Sequence, residues 1–239
     1  MSQSLAGQRV LVIGGSKYLG EAVARQAAAA GATVVIGARD EARAARVTRE
    51  LPGGQSVRID VSLEDTIAAA AALLGQVDHV IVTAAAHHNV PVADLEHDRI
   101  MAAFEAKVIG PMLLAKHFAP LMPPTGSFLL FSGVAAWKPA PGYAVMGVTN
   151  GAVDYLATHL ARELAPIRVN AISPGIIDSG TWDALGDIGK QGLFEGAAAG
   201  SLVGRVGASA DIAEAAVWLL GADFVSGETI HVEGGARRA

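Results

Sequence analysis

Residues 9–20 read RVLVIGGSKYLG. Arg9 to Ile13 is a short β-branched run of strand length, Gly14, Gly15 and Gly20 punctuate the residues after it, and an Ala-rich stretch of helical length follows. The same alternation continues outward from this segment. Thr33 to Ile36, Ser56 to Ile59, His79 to Val82, Ser127 to Phe131 and Arg168 to Ile172 are further strand-like runs, and each gap between them is long enough for a helix. Strand and helix alternating in this way require βαβ crossovers, so the expected fold is α/β, with a parallel sheet covered by helices on both faces. Ligands of such folds lie beyond the carboxyl ends of the strands, which directs attention to the residues that follow each run.

Composition narrows the function classes. The chain has 239 residues, 51% of them hydrophobic, with a net charge of -5 and no cysteine. No linker-like break divides it, so one domain spanning residues 1–239 is expected. Disulfides, zinc thiolate sites and cysteine nucleophiles are excluded. The acidic balance without a basic stripe argues against nucleic acid and points to a small-molecule partner. No apolar run crosses a bilayer without a charge or a Gly/Pro interruption, and MSQSLAGQRV lacks the basic and apolar regions of a secretory signal, so no membrane span and a cytoplasmic address are expected. His87 and His88 stand side by side without further ligand spacing; they are assigned at most a substrate contact, and no metal site is expected.

Several motifs together resemble the short-chain dehydrogenase/reductase family. Gly14-Gly15-Ser16-Lys17-Tyr18-Leu19-Gly20 is similar to its TGxxxGxG turn, with Ile13 in place of Thr and Tyr18 in place of the middle Gly. The resemblance implies a Rossmann-like sheet of about seven strands in the order 3-2-1-4-5-6-7, and a turn whose backbone approaches a dinucleotide pyrophosphate at a helix N-terminus. Where NAD-preferring relatives carry an acid, this chain has Ala38 and then Arg39. Arg39 with Lys17 suits a 2′-phosphate through charge-assisted bonds of ~1.5–3 kcal/mol each, so NADP is the implied cofactor. Asp60-Val61 resembles the adenine-contacting pair, Thr83-Ala84-Ala85-Ala86 the Asn-Asn-Ala-Gly segment, and Pro174-Gly175-Ile176-Ile177-Asp178-Ser179 the PGxxxT segment that holds the nicotinamide carboxamide.

The chemical end departs from the family. Ala161-Arg162-Glu163-Leu164 and Ile167 to Gly175 fix the register, and counting back places the family's Tyr-x-x-x-Lys on Met146-Gly147-Val148-Thr149-Asn150. Its catalytic Ser falls on Ser132 or Gly133, and its helix-bending Asn on Lys107. A thioether and a neutral amide cannot supply the ordinary proton chemistry. Lys107 lies on an apolar helical stripe with Ile100, Phe104 and Pro111, where it either snorkels to solvent or enters the site. Tyr143, one turn before Met146, is an alternative phenol donor or an aromatic packing near Trp137. Residues 181–204 resemble the family's variable substrate lid. Relatives pair through segments matching Met101 to Leu121, Val145 to Leu164 and Ala213 to Val232, so a homo-oligomer, a dimer or a tetramer, is implied, and the run Val217-Trp218-Leu219-Leu220 is expected to need a cover. The function expected is NADP(H)-dependent hydride transfer to or from a small carbonyl, imine or iminium substrate. The alternatives are a non-catalytic NADP-binding protein and a non-redox cyclase or isomerase using the same pocket.

Overall fold

Strands buried on both faces read as unbroken apolar runs, and the runs singled out above form strands whose ends move by at most two residues. A computed structural model describes residues 4–239. β1 (Arg9–Ile13), β2 (Thr33–Ala38), β3 (Gln55–Arg58), β4 (His79–Val82), β5 (Ser127–Phe131), β6 (Arg168–Pro174) and β7 (Thr229–Val232) make one sheet, ordered 3-2-1-4-5-6-7 as expected. Every pairing in it is parallel. The helices are α1 (Tyr18–Ala29), α2 (Glu41–Thr48), α3 (Glu64–Leu74), α4 (His97–Phe104), α5 (Gly110–Phe118), α6 (Ala144–Glu163), α7 (Gly186–Ala199) and α8 (Ser209–Gly221). A short parallel pair, Ile177–Asp178 with Gly207–Ala208, stands apart from the sheet.

The period of two along each strand distributes its side chains between two cores. Val10, Val12, Ile81, Leu129, Phe131 and Ile172 pack with Val23, Ala24 and Ala27 of α1 and Ile212, Ala216 and Leu220 of α8. Leu11, Ile13, Val80, Val82, Phe128, Leu130 and Val169 pack with Ile67 of α3, Leu114 and Phe118 of α5, and Val153, Leu156 and Ala157 of α6. Each fully buried Leu, Ile or Phe contributes ~1.5–3 kcal/mol, and alanines on α1 and α8 let the helix backbones approach the sheet closely. Val217, Leu219 and Leu220 are buried in the chain's own core. Of the run expected to need a cover, only Trp218 is left, half exposed, because helical periodicity turns its neighbours inward. No helix among the described residues is long and apolar enough to cross a membrane.

Two buried polar groups tie the layers together. His79 is held near pKa 4 by burial, so its ring is neutral between Ser127 Oγ at 2.8 Å and Gln8 Oε1 at 3.1 Å. The amide oxygen can only accept, so Nε2 carries the ring proton and Nδ1 accepts from the serine. Arg168, buried at the head of β6, donates to the carbonyls of Leu219 and Ala222 at 3.0 Å each and to that of Leu220. Those carbonyls end α8 without intrahelical partners. Arg168→Met keeps the apolar stem and strands the carbonyls of Leu219 and Leu220, and is expected to destabilise the fold by about 3 kcal/mol. Urea unfolding checks this: the midpoint should fall with an unchanged slope.

Candidate active site

The residues assigned above to the cofactor and to the chemistry all line one cavity of about 760 Å³ at the carboxyl ends of β1, β4, β5 and β6. One wall is the turn after β1. Gly14 is left-handed at φ 83°, and a Cβ on it would lie 2.7 Å from Thr83 Oγ1. A Cβ on Gly20 would lie 2.6 Å from the same oxygen, which donates to the Ile13 carbonyl at 2.9 Å. Both glycines are therefore required by the close crossing of α1 over β4. Lys17, at the head of α1, makes no side-chain cap, so the first amides of that helix are left without a side-chain acceptor. Tyr18 is the only non-glycine residue at positive φ, 52°, among those described. Its ring lies 4.9 Å from the Lys17 ammonium, is 42% exposed, and borders Gly180 at the cavity mouth.

Beyond β2 the wall is cationic. Asp40 caps α2 by accepting from Arg43 N at 2.9 Å and pairs with Arg43 Nε at 3.5 Å, so it does not neutralise Arg39. Arg39 makes no ion pair among the described residues, and Lys17, Arg39 and Arg43 line the same cavity. Arg43 was not anticipated from the sequence; its signal is a basic residue in the first turn of a helix that begins beside Arg39. Asp60 Oδ1 accepts from Ser62 N and Oγ at 3.1 and 2.7 Å, which fixes the carboxylate at the edge of the cavity beside Val61. On the far side, a Cβ on Gly175 would lie 2.9 Å from Glu233 Cα, so the turn after Pro174 needs glycine where it passes the end of β7. Ser179 Oγ lies 3.1 Å from Thr181 Oγ1.

At the closed end, Lys107 sits within a π-helical turn, Glu105–Ile109, between α4 and α5. Its stem is buried and its ammonium does not reach solvent. Nζ donates to Phe131 O at 2.9 Å, Ser132 O at 3.1 Å and Asn150 Oδ1 at 2.5 Å. Desolvation lowers its pKa to about 7. An ammonium has three protons and no lone pair, so three acceptors around it use all its protons and oblige Asn150 to present its oxygen. The Asn150 Nδ2 amino group consequently faces the other way, toward Gly133, where a Cβ would lie 2.7 Å from it. The Ser132 hydroxyl donates to the Asn150 carbonyl at 2.8 Å. Its single proton is thereby turned back to α6.

Met146 and Tyr143 line the same end from the start of α6. Trp137 packs edge-on against His231 with ring centroids 4.5 Å apart. The two adjacent histidines separate: His88 is buried and its Nε2 accepts from Glu96 N at 3.0 Å, whereas His87 lines the cavity with its pKa lowered by burial and by Lys107 and Lys17. No group of three or more His, Cys, Asp or Glu side chains able to hold a metal ion occurs among the described residues. The partnership of Lys107 with Asn150 was not anticipated from the sequence either. Its signal was available, because the family's Asn is matched by Lys107 and the family's Lys by Asn150.

A family model described as enoyl-(acyl carrier protein) reductase matches residues 15–237. The short-chain dehydrogenase/reductase ucsE of Acremonium sp is 30% identical, over 98% of this chain and 97% of its own length. The 1-cyclohexenylcarbonyl-CoA reductase of Streptomyces collinus is 27% identical, over 94% of this chain and 85% of its own. Among solved structures, a small-chain dehydrogenase in complex with NADPH superposes with a TM-score of 0.86 at 29% identity, covering 97% of this chain and 99% of that one.

Proposed function

The chain belongs to the short-chain dehydrogenase/reductase family, and from that premise we propose that it is an NADP(H)-dependent oxidoreductase that transfers hydride to or from a small carbonyl or imine-type substrate through an unusual active site. The cavity fits the dinucleotide in its chemistry. The amides at the head of α1, with Ser16, Lys17 and Leu19, hold the diphosphate; Arg39, Lys17 and Arg43 take the 2′-phosphate; Asp60 and Val61 flank the adenine; Ala84 and Ala85 leave room beside it; and Pro174, Gly175, Ile177 and Ser179 hold the carboxamide. Bound there, the dinucleotide supplies or accepts the hydride. The solved NADPH complex of a relative over nearly the whole chain supports this assignment.

The observation that carries the catalytic part is the ammonium of Lys107, buried at the end of the cavity behind Asn150. A positive charge there, present below about pH 7, stabilises negative charge that develops on a substrate oxygen, and in a poorly solvated site such charges act strongly. Residues 181–204, in which α7 buries no side chain, are proposed as the substrate lid. Lys190 pins it by pairing with Asp178 at 3.0 Å and Asp183 at 2.8 Å. A second reading, an NADP-binding protein without turnover, is favoured by one feature: Tyr18 stands where the family's turn has glycine, at a left-handed φ that costs a non-glycine residue energy.

Exposed apolar side chains on α4 to α6, Met101, Met112, Val148 and Tyr155, together with the fully exposed Phe224, support a homo-oligomer, a dimer or a tetramer. Light scattering at micromolar concentration is expected to give a multiple of the chain mass. For the cofactor, Arg39→Ala should weaken NADPH binding by at least about tenfold, the loss of one charge-assisted contact, and leave NADH binding nearly unchanged. Fluorescence titration of the two dinucleotides checks it.

For the chemistry, Lys107→Met should lower turnover at least about tenfold, equivalent to ~1.4 kcal/mol of transition-state stabilisation, with NADPH binding retained. The sign of the pH dependence follows from the depressed pKa. The ammonium is present below about pH 7 and lost above it, so turnover should fall as pH rises through that value, and the Met variant should lose this limb. The same shift acts on stability. Between pH 7 and 10.5 the unfolded chain holds a proton on Lys107 that the folded chain has released, so this residue's contribution to stability increases with pH across that window.

A further inference from the structure

We propose a second binding site, separate from the dinucleotide cavity, that takes a neutral, largely apolar alcohol and holds its hydroxyl between Glu233 and His231. Three buried side-chain atoms among the described residues lack a hydrogen-bond partner: Ser173 Oγ, His231 Nδ1 and Glu233 Oε2. They belong to one neighbourhood. Ser173 on β6 is the register partner of His231 on β7, and Glu233 stands two positions further on, the spacing that returns an extended chain to the same face. Glu233 is only 8% exposed, and a buried oxygen left without a donor is costly to the fold. A ligand that supplies the donor removes that cost.

His231 and Glu233 line a second cavity, of about 700 Å³, among α7, the turn after β7 and the short strand pair. Val134, Ile176 and Ile177 line both cavities and mark the boundary between them. Leu193, Val203 and Val206 add apolar wall, and α7 otherwise contributes only Gly192, Gly196 and Ala197, which are too small to fill the space. The remaining polar side chains of the lining are occupied. Lys138 Nζ donates to the carbonyls of Gly200 at 3.3 Å and Ala236 at 2.8 Å, and Ser201 Oγ to that of Gly234 at 3.0 Å. Arg205 makes two bonds to Asp211, of 2.7 and 2.9 Å. A mostly apolar cavity with a few placed polar groups is the usual form of a small-molecule site.

The two unpartnered atoms of the lining select the ligand. A carboxylate oxygen can only accept, so the ligand donates to Glu233 Oε2, and an anion is excluded. Lys138 and Arg205 line the cavity, and Arg237 Nε lies 3.3 Å from Glu233 Oε1. Against these three cations stand only Glu233 and Asp211, so a further cation is unfavourable. His231 is neutral, its pKa lowered chiefly by burial, and Nδ1 can carry the ring proton and donate. A hydroxyl both donates and accepts, which answers both atoms, and the edge contact with Trp137 orients the imidazole. Both atoms are closed to bulk water, and the ligand enters by displacing α7, which buries no side chain of its own.

The test is calorimetric titration of the full chain, without dinucleotide, by three probes on one bicyclic body: decalin-2-ol, decalin-2-amine as its ammonium, and decalin-2-carboxylate. The alcohol should bind saturably and at least about tenfold more tightly than either ion, the size of one hydrogen bond to a charged group. Glu233→Met is close in length and removes the acceptor. It should keep the melting temperature, since an apolar group replaces an unpartnered oxygen, and weaken the alcohol at least about tenfold. Gly196→Leu, at a position where nothing stands within 4 Å of an added Cβ, fills the cavity from α7 and should weaken it to the same degree; it carries the test if Glu233→Met fails to fold. Lys107→Met should change the affinity by less than about twofold, because the two sites share no partner. Nitrogen-15 spectra of the imidazole rings should show the His231 resonances moved by the alcohol. No saturable binding of the alcohol, equal affinity for the ammonium or the carboxylate, an affinity unmoved by either Glu233→Met or Gly196→Leu, a loss in Lys107→Met, or unmoved His231 resonances each overturns the inference. None of these outcomes touches the oxidoreductase reading, which fails separately if the unmodified chain does not bind NADPH.

Discussion

The closed end of the cavity is organised around one buried cation. An ammonium removed from water costs several kcal/mol unless its protons are all satisfied, and Lys107 finds its acceptors on the end of β5, on the residue after it and on α6. Three segments distant in sequence are thereby held at fixed separation. The π-helical turn around Lys107 inserts an extra residue at this point and carries the side chain into the interior, the kind of local irregularity that recurs at functional sites. Asn150 is oriented by the same bond, and its backbone carbonyl orients Ser132 in turn.

The cofactor end depends on different elements. There the requirement is close backbone approach, met by Gly14, Gly20 and Thr83 where α1 crosses β4, and the positive potential comes from helix amides and from Lys17, Arg39 and Arg43. None of these residues touches the Lys107 cluster through a hydrogen bond. The Lys107 cluster and the dinucleotide end of the cavity are therefore built independently, since sites without shared partners contribute nearly independently.

The sheet was legible in the sequence because strands covered on both faces leave unbroken β-branched runs, and the runs from Arg9, His79 and Ser127 needed no adjustment of their ends. The seventh strand followed from the family resemblance and not from the run pattern, since Thr229 to Val232 is only partly buried at the sheet edge and carries His231 among its apolar residues. The cavity lining was legible from motif register, which assigns positions along each loop. What register cannot give is the direction in which a polar side chain points. Lys107 had two readings on an apolar stripe, and only the three-dimensional placement of the Phe131, Ser132 and Asn150 acceptors separates them. Ser132 and Gly133 were equivalent by counting, and they are distinguished by a hydroxyl bonded to α6 in one and an amide nitrogen close in front of the other.

The pairing of Lys107 with Asn150 across two helical segments has an energetic consequence that neither residue has alone. The pair sets an amide beside an ammonium in the interior, with the amide oxygen toward the charge and the amide nitrogen toward Gly133. Both groups are buried. A charge at the surface of a site attracts water and competes with substrate for hydrogen bonds, whereas one behind an amide acts through it, polarising N–H bonds that the cavity presents in a fixed direction. The dipole of the Asn150 amide is thereby held in one direction by the group bonded to its oxygen.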